Sequence, residues 1–155
     1  MHPLVRPLWS DDLDAIIEIE NASYPFPWTP GIFRECIRVG YACFGLQLDG
    51  KLVGYAISNW GAGESHLLNL CVHPDARRKG LGQLLLEHSI EHARSLNCTV
   101  MFLEMRPSNV DAERLYRKRG FERVGTRPAY YESAQGREDA VIMRLDLAPG
   151  TGAPA

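Results

Sequence analysis

From Leu67 to Leu86 the chain reads Leu-Leu-Asn-Leu-Cys-Val-His-Pro-Asp-Ala-Arg-Arg-Lys-Gly-Leu-Gly-Gln-Leu-Leu-Leu. Leu67, Leu68, Leu70 and Val72 form a short apolar run that Pro74 ends. From Leu81 the spacing turns helical, at Leu81, Leu85, Ala93 and Leu96 with Leu84 alongside. The stretch therefore reads as a strand, a basic glycine-containing turn and a helix. Arg77, Arg78 and Lys79 sit just before the helix N-terminus, where unpaired backbone N–H groups and the positive end of the helix dipole suit an anion. Glycines there let a ligand approach the backbone. A P-loop would need Gly, four residues and Gly-Lys-Ser/Thr, and a dinucleotide fingerprint would need a small residue where Leu85 stands. Neither pattern is met. What is met is Arg77-x-x-Gly80-x-Gly82, a six-residue pattern of low specificity by itself, for which a basic turn without a ligand is the competing reading.

The flanking segments set the fold class. Leu4 to Leu8 suits a first strand, and Ser10 with Asp11, Asp12 and Asp14 suits the start of a helix carrying Leu13, Ile16, Ile17 and Glu20. Two prolines in Tyr24-Pro25-Phe26-Pro27-Trp28 stop it. Thr29 and Pro30 open a second helix with Phe33, Cys36 and Ile37 inward. Tyr41–Leu48 and Leu52–Trp60 flank Asp49-Gly50, a two-residue hairpin signal. Ser65–Val72 is the next strand. After the long helix, Cys98–Met105 reads as a buried strand, Asn109 caps a helix carrying Ala112, Leu115 and Tyr116, and Gly120 ends it. Phe121–Tyr131 and Ala140–Leu147 close the chain as two strands joined by a polar loop at 132–139. The order predicts an α/β fold: a mixed, mostly antiparallel sheet of seven strands with about four helices. No repeat or boundary interrupts it, so residues 1–147 are expected to form a single domain, with a flexible tail over 148–155.

At 155 residues, 45% hydrophobic and 23% charged, the chain has the make-up of one globular domain. A net charge of -2 and a pI near 6.2 argue against an electrostatic nucleic-acid or membrane binder. Cys36, Cys43, Cys71 and Cys98 are scattered without a Cys-x-x-Cys pair, so neither a disulfide framework nor a zinc site is indicated. His88 and His92, at i and i+4, lack a third ligand, and no metal is expected. No apolar run has signal-peptide or membrane-spanning length, and a cytoplasmic protein is the simplest expectation.

Two residues stand out chemically. Glu104, in Met101-Phe102-Leu103-Glu104-Met105, is an acid in an apolar strand, a place that favours a paired or functional group. A general base is one reading; a pair with a neighbour such as Arg106, or solvent exposure, is the other. Tyr116 falls on the buried stripe of its helix, where a core role is the ordinary one. Cys71 reads as a small buried cysteine, because no Cys/His/Asn constellation accompanies it.

Taken together, the Arg77-x-x-Gly80-x-Gly82 turn, Leu-Glu-Met-Arg-Pro-Ser-Asn at 103–109, Leu-Tyr-Arg-Lys-Arg-Gly-Phe at 115–121, the Phe26-Pro27-Trp28 turn and Tyr130-Tyr131 followed by Gly136-Arg137-Glu138-Asp139-Ala140 resemble the GNAT N-acetyltransferases, and within them the RimI group. That resemblance implies the GNAT fold and acetyl transfer from acetyl-CoA to a protein α-amine. The substrate it implies is the N-terminal alanine of a ribosomal small-subunit protein. It also implies that Leu70, Cys71 and Val72 meet the acetyl-pantetheine arm, that Arg78, Lys79, Gly80, Leu81, Gly82 and Gln83 hold the pyrophosphate, and that Asn109 contacts coenzyme A. Glu104 would be the general base and Tyr116 the general acid, with Trp28, Tyr130 and Tyr131 walling the peptide site. No direct nucleic-acid or membrane partner is implied, and a monomer is expected. A GNAT enzyme acting on lysine or a small-molecule amine, and a non-catalytic acetyl-CoA sensor, are the competing readings. Pro107 stands where the group often has Ala.

Overall fold

The structure, a computed structural model, describes residues 2–147. The tail expected to be flexible at 148–155 lies outside the described residues. Seven strands, β1 (Pro3–Pro7), β2 (Ala42–Leu48), β3 (Lys51–Gly61), β4 (Glu64–Val72), β5 (Val100–Met105), β6 (Glu122–Ser133) and β7 (Gly136–Asp146), form one sheet in the order β1-β2-β3-β4-β5-β7-β6. The pairs β1/β2, β2/β3, β5/β7 and β6/β7 are antiparallel, and β4/β5 is parallel. Helices α1 (Leu13–Ser23), α2 (Pro30–Arg38), α3 (Leu81–Ser95) and α4 (Val110–Arg119) complete the expected α/β architecture. The chain's internal contacts gather into two compact units, one made of the residues up to Asn59 with Leu68–His92, the other of Trp60–Leu67 with the residues from Ala93 onward.

In the first unit, α1 does not start at Ser10 as the sequence suggests. Ser10–Asp12 form a 3-10 turn, and the Asp12 carboxylate accepts the Trp9 N–H at 2.8 Å while taking two bonds from Arg6. Asp12 outcompetes Ser10 because its carboxylate can serve a backbone donor and a guanidinium together; the Arg6 bonds lower its pKa first of all. Thr29 caps α2 by accepting from Ile32 N, with Pro30 in the first turn, as expected. Asp49 and Gly50 both take positive φ, 52° and 84°, the requirement of a tight hairpin between β2 and β3. The core of this unit centres on Ile16, Phe33, Tyr55 and Ile57, all fully buried. At Gly54 of β3 an added Cβ would lie 2.9 Å from the Cys71 carbonyl, so glycine is what lets β3 approach the end of β4. Along α3, Leu81, Leu85, Leu86, Ser89, Ile90 and Ala93 are buried, so the expected stripe holds at Leu81, Leu85 and Ala93, whereas Leu84 is exposed.

In the second unit β4 pairs with β5 from Glu64↔Val100 to Leu67↔Leu103, where the register ends. Met101 and Leu103 of β5, Val141 and Met143 of β7 and Phe121 form a buried layer. Gly120 ends α4 with φ 110°. The polar stretch 132–139 is not a loop: Glu132 pairs with Arg137 and Ser133 with Gly136, so β6 and β7 meet in a short turn. Strand pairing of polar residues on an exposed hairpin leaves no apolar alternation to reveal it.

Candidate active site

Glu104 lies on β5, opposite Ile142 of β7, with its side chain 27% exposed. Its Oε1 receives Nη2 of Arg127 at 2.9 Å. Arg106, the neighbour expected as partner, points elsewhere: it bonds Glu138 at 3.3 Å, donates to the Glu132 carbonyl and lies 4.6 Å over the Tyr131 ring. Residues i and i+2 of a strand share a face, which would put Arg106 beside Glu104, but Arg106 falls beyond the end of β5 and is steered by the hairpin instead. Arg127 lies 4.7 Å over the Tyr130 ring and is 52% exposed. An ion pair this exposed is worth about 0–1 kcal/mol.

Glu138 also accepts the Ser108 N–H at 3.0 Å and the Ser108 hydroxyl at 3.1 Å, which fastens the β6/β7 hairpin to the junction of β5 and α4. Burial pushes the Glu138 carboxyl up, but the bonds from Ser108 and Arg106 outweigh it and hold it below its ordinary value. The Tyr131 phenol is pushed well up by burial and then by the Glu104 charge, with Tyr130, Arg106 and Tyr116 as its other electrostatic neighbours. Base and acid candidates therefore share the surroundings of one protonated phenol. Tyr116 is 7% exposed, its ring edge-on to Phe121 at 5.7 Å, so it is both a core residue and a member of this cluster. Asn109 spends its Oδ1 on capping α4 through Ala112 N at 3.1 Å.

In the first unit, the end of β4 meets the end of α1. The Cys71 thiol is 3.1 Å from the Ser23 hydroxyl, and the Tyr24 hydroxyl donates to the Leu70 carbonyl at 3.4 Å. Cys71 is 2% exposed and burial raises its pKa, while His73 accepts the Asp75 N–H within a turn and is no partner for it. A neutral, buried thiol is a poor nucleophile. Cys71→Ala is accordingly expected to keep turnover within about threefold and to cost on the order of 1 kcal/mol of stability. Steady-state kinetics and urea denaturation check this, and a loss of all turnover would revive a covalent role.

The carboxylate of Glu20, 2% exposed, accepts from Tyr55 Oη, from Asn69 Nδ2 at 3.0 Å and from the Trp28 backbone N at 2.8 Å. The Trp28 ring packs on Phe33 at 5.3 Å. Spacing marks Glu20 only as a helix residue and gives no signal at Asn69. The available signal was an acid at i+4 from Ile16, on the buried stripe of α1, where an unpaired carboxylate would be costly.

The basic turn suits an anion. Arg78 and Gly80 take positive φ, 64° and 74°, residues 78–80 are exposed, and a Cβ on Gly80 would meet nothing within 4 Å. Leu84 N donates to Gly80 O at 3.2 Å, so the preceding amides stand in the first turn of α3, which has no intrahelical acceptors for them. Arg77 differs from its neighbours: its Nε donates to the Val72 carbonyl at 2.9 Å, making it a brace between β4 and the turn. Arg78 and Lys79 are left facing solvent, with the chemistry a pyrophosphate requires.

The chain matches the model of the Acetyltransferase (GNAT) family over residues 13–121. It is 37% identical over 143 residues to the [Ribosomal protein bS18]-alanine N-acetyltransferase of Escherichia coli (strain K12), covering 92% of this chain and 97% of that one. The enzyme of the same name from Salmonella typhimurium is 37% identical over 140 residues, covering 90% and 95%. Among solved structures, the ribosomal-protein-S18-alanine N-acetyltransferase from Escherichia coli superimposes with a TM-score of 0.89 at 35% identity, covering 99% of this chain and 100% of that one.

Proposed function

Because the chain belongs to the acetyltransferase (GNAT) family, we propose that it moves an acetyl group from acetyl-CoA to the α-amine of a protein N-terminus, namely the N-terminal alanine of a ribosomal small-subunit protein. The observation that carries this reading is the 37% identity, over nearly the whole of both chains, to relatives named for that reaction. The family match spans residues from both compact units, which supports residues 1–147 acting as one acetyltransferase domain.

When bound, acetyl-CoA supplies an acyl group activated as a thioester. Arg78, Lys79 and the amides of Gly80 to Gln83 bind its pyrophosphate, Leu70, Cys71 and Val72 offer strand backbone to the pantetheine arm, and Asn109 contacts the coenzyme. Trp28, Tyr130 and Tyr131 bind the peptide. A protein α-amine has an ordinary pKa of roughly 8, so a modest base suffices near neutrality. A carboxylate oxygen of Glu104, yielded by the exposed Arg127, takes the amine proton, directly or through one water. The Tyr116 hydroxyl donates a proton to the departing sulfur. Among the described residues no helix is long and apolar enough to cross a membrane, and the cytoplasm, where ribosomal proteins are made, is the proposed place of action. The test is intact-mass spectrometry of purified small-subunit protein bS18 with a free N-terminal alanine, incubated with this chain and acetyl-CoA. One added acetyl group on the N-terminal peptide is expected; an unmodified protein would refute the substrate.

A further inference from the structure

Among the described residues, Glu20 of α1 is the one buried carboxylate, 2% exposed, and the proposed chemistry leaves it unused. Its partners come from separate parts of the first unit. Tyr55 belongs to β3, Asn69 to β4, and the Trp28 N–H to the extended segment between α1 and α2. That segment, Tyr24-Pro25-Phe26-Pro27-Trp28, has two prolines, and beyond the Tyr24 N–H that closes α1 on the Glu20 carbonyl at 3.1 Å it belongs to no strand or helix. What holds it is side-chain chemistry: Glu20 on Trp28 N, the Trp28 ring on Phe33, and the Tyr24 hydroxyl on the Leu70 carbonyl. Glu20 also reaches Asn69, the residue before Leu70, so one carboxylate ties the segment to the strand.

The Phe26 ring and the flanking prolines are exposed on that segment, so the fold is using a buried carboxylate to set the position of an exposed aromatic turn. A purely structural need would be met more cheaply by an apolar residue, since burying a carboxylate carries a desolvation cost that only a full set of charge-assisted bonds offsets. We infer that Glu20 is a positioning residue that fixes the Tyr24 to Trp28 segment as a rigid wall against which the substrate peptide docks, and so sets peptide affinity without touching the reacting atoms. This rests on the reading of Trp28 as part of the peptide site. It adds a buried residue on which that wall depends.

The experiment compares wild type, Glu20→Met and Glu20→Gln by steady-state kinetics on acetyl-CoA and an Ala-Arg peptide, and by the amide resonance of Trp28 in nitrogen-labelled protein. Methionine fills the space without an acceptor; glutamine keeps one acceptor for the Trp28 N–H. Glu20→Met is expected to raise the peptide KM about tenfold, the scale of a buried donor left unpaired, with the acetyl-CoA KM within about twofold. The Trp28 amide should shift and lose exchange protection, and Glu20→Gln should restore most of both. An unchanged Trp28 resonance, or a peptide KM that rises no more than that of acetyl-CoA, overturns the inference. Should Glu20→Met fail to fold, Asn69→Leu, which cuts only the strand side of the tie, carries the same two readouts with a smaller expected rise of about threefold. If wild-type protein acetylates no α-amine, the peptide-site reading has failed, and with it the docking role; the Trp28 resonance then still decides whether Glu20 fixes the segment.

Discussion

Glu104→Gln is expected to lower kcat on an α-amine peptide by about 10²- to 10³-fold, the usual worth of a positioned general base. Glutamine has the same shape and can still accept a hydrogen bond from Arg127, but it cannot take the amine proton. The pair it replaces is half exposed on the arginine side, so the loss of stability should stay within about 1 kcal/mol. Peptide KM should change by only a few-fold, because the residues proposed to wall the peptide are untouched. Kinetics beside a thermal melt separate these effects. A fall in kcat of less than about tenfold with an unaltered melting temperature would move the base to another group.

The largest expected effect on stability is that of Phe33→Ala. Phe33 is fully buried, packs against Trp28 at 5.3 Å and stands edge-on to Tyr55 at 5.5 Å. Removing a buried phenyl ring costs about 3–5 kcal/mol, cavity included. For a chain of this length that corresponds to a fall in melting temperature of roughly 6–20 °C. Leu4→Ala, at a side chain more than half exposed, should cost within about 0.5 kcal/mol. Urea denaturation with an unchanged m-value checks both. Because Phe33 lies between Trp28 and Tyr55, peptide binding should suffer with it. A Phe33→Ala protein as stable as wild type would mean that the core of the first unit is misplaced.

Strand and helix identities were legible because the residues that set them act locally. Asp49-Gly50 can only form a tight turn, Pro30 and Thr29 only begin a helix, and Gly120 only ends one. Three features were not legible. The start of α1 moved from Ser10 to Leu13 because Asp12, held by Arg6 on β1, closes a 3-10 turn on the Trp9 N–H, a contact that spacing along α1 does not encode. Glu104 found Arg127 rather than Arg106 because the hairpin of β6 and β7 brings one arginine in and its tip draws the other away. The polar residues 132–139 continue a strand pair, since backbone pairing asks for no apolar pattern when both faces meet water. Of the proposed site, the basic turn, Glu104 and Tyr116 stand out in the sequence through the motifs that carry the family resemblance, not through their spacing. The support behind them does not. Glu20, Asn69 and Ser23 act through contacts between elements far apart in the chain, and the brace from Arg77 to Val72 sits inside a motif whose arginines look interchangeable.

The most direct test of the account is steady-state release of coenzyme A from acetyl-CoA with a peptide beginning Ala-Arg, set against the same peptide with its α-amine blocked and a lysine left free, the acetyl group being located by mass spectrometry. Turnover on the free α-amine alone, with the acetyl group on the N-terminal alanine, is the predicted result. Acetylation of the lysine in the blocked peptide at a comparable rate, or tight binding of acetyl-CoA with no turnover on either peptide, would contradict it.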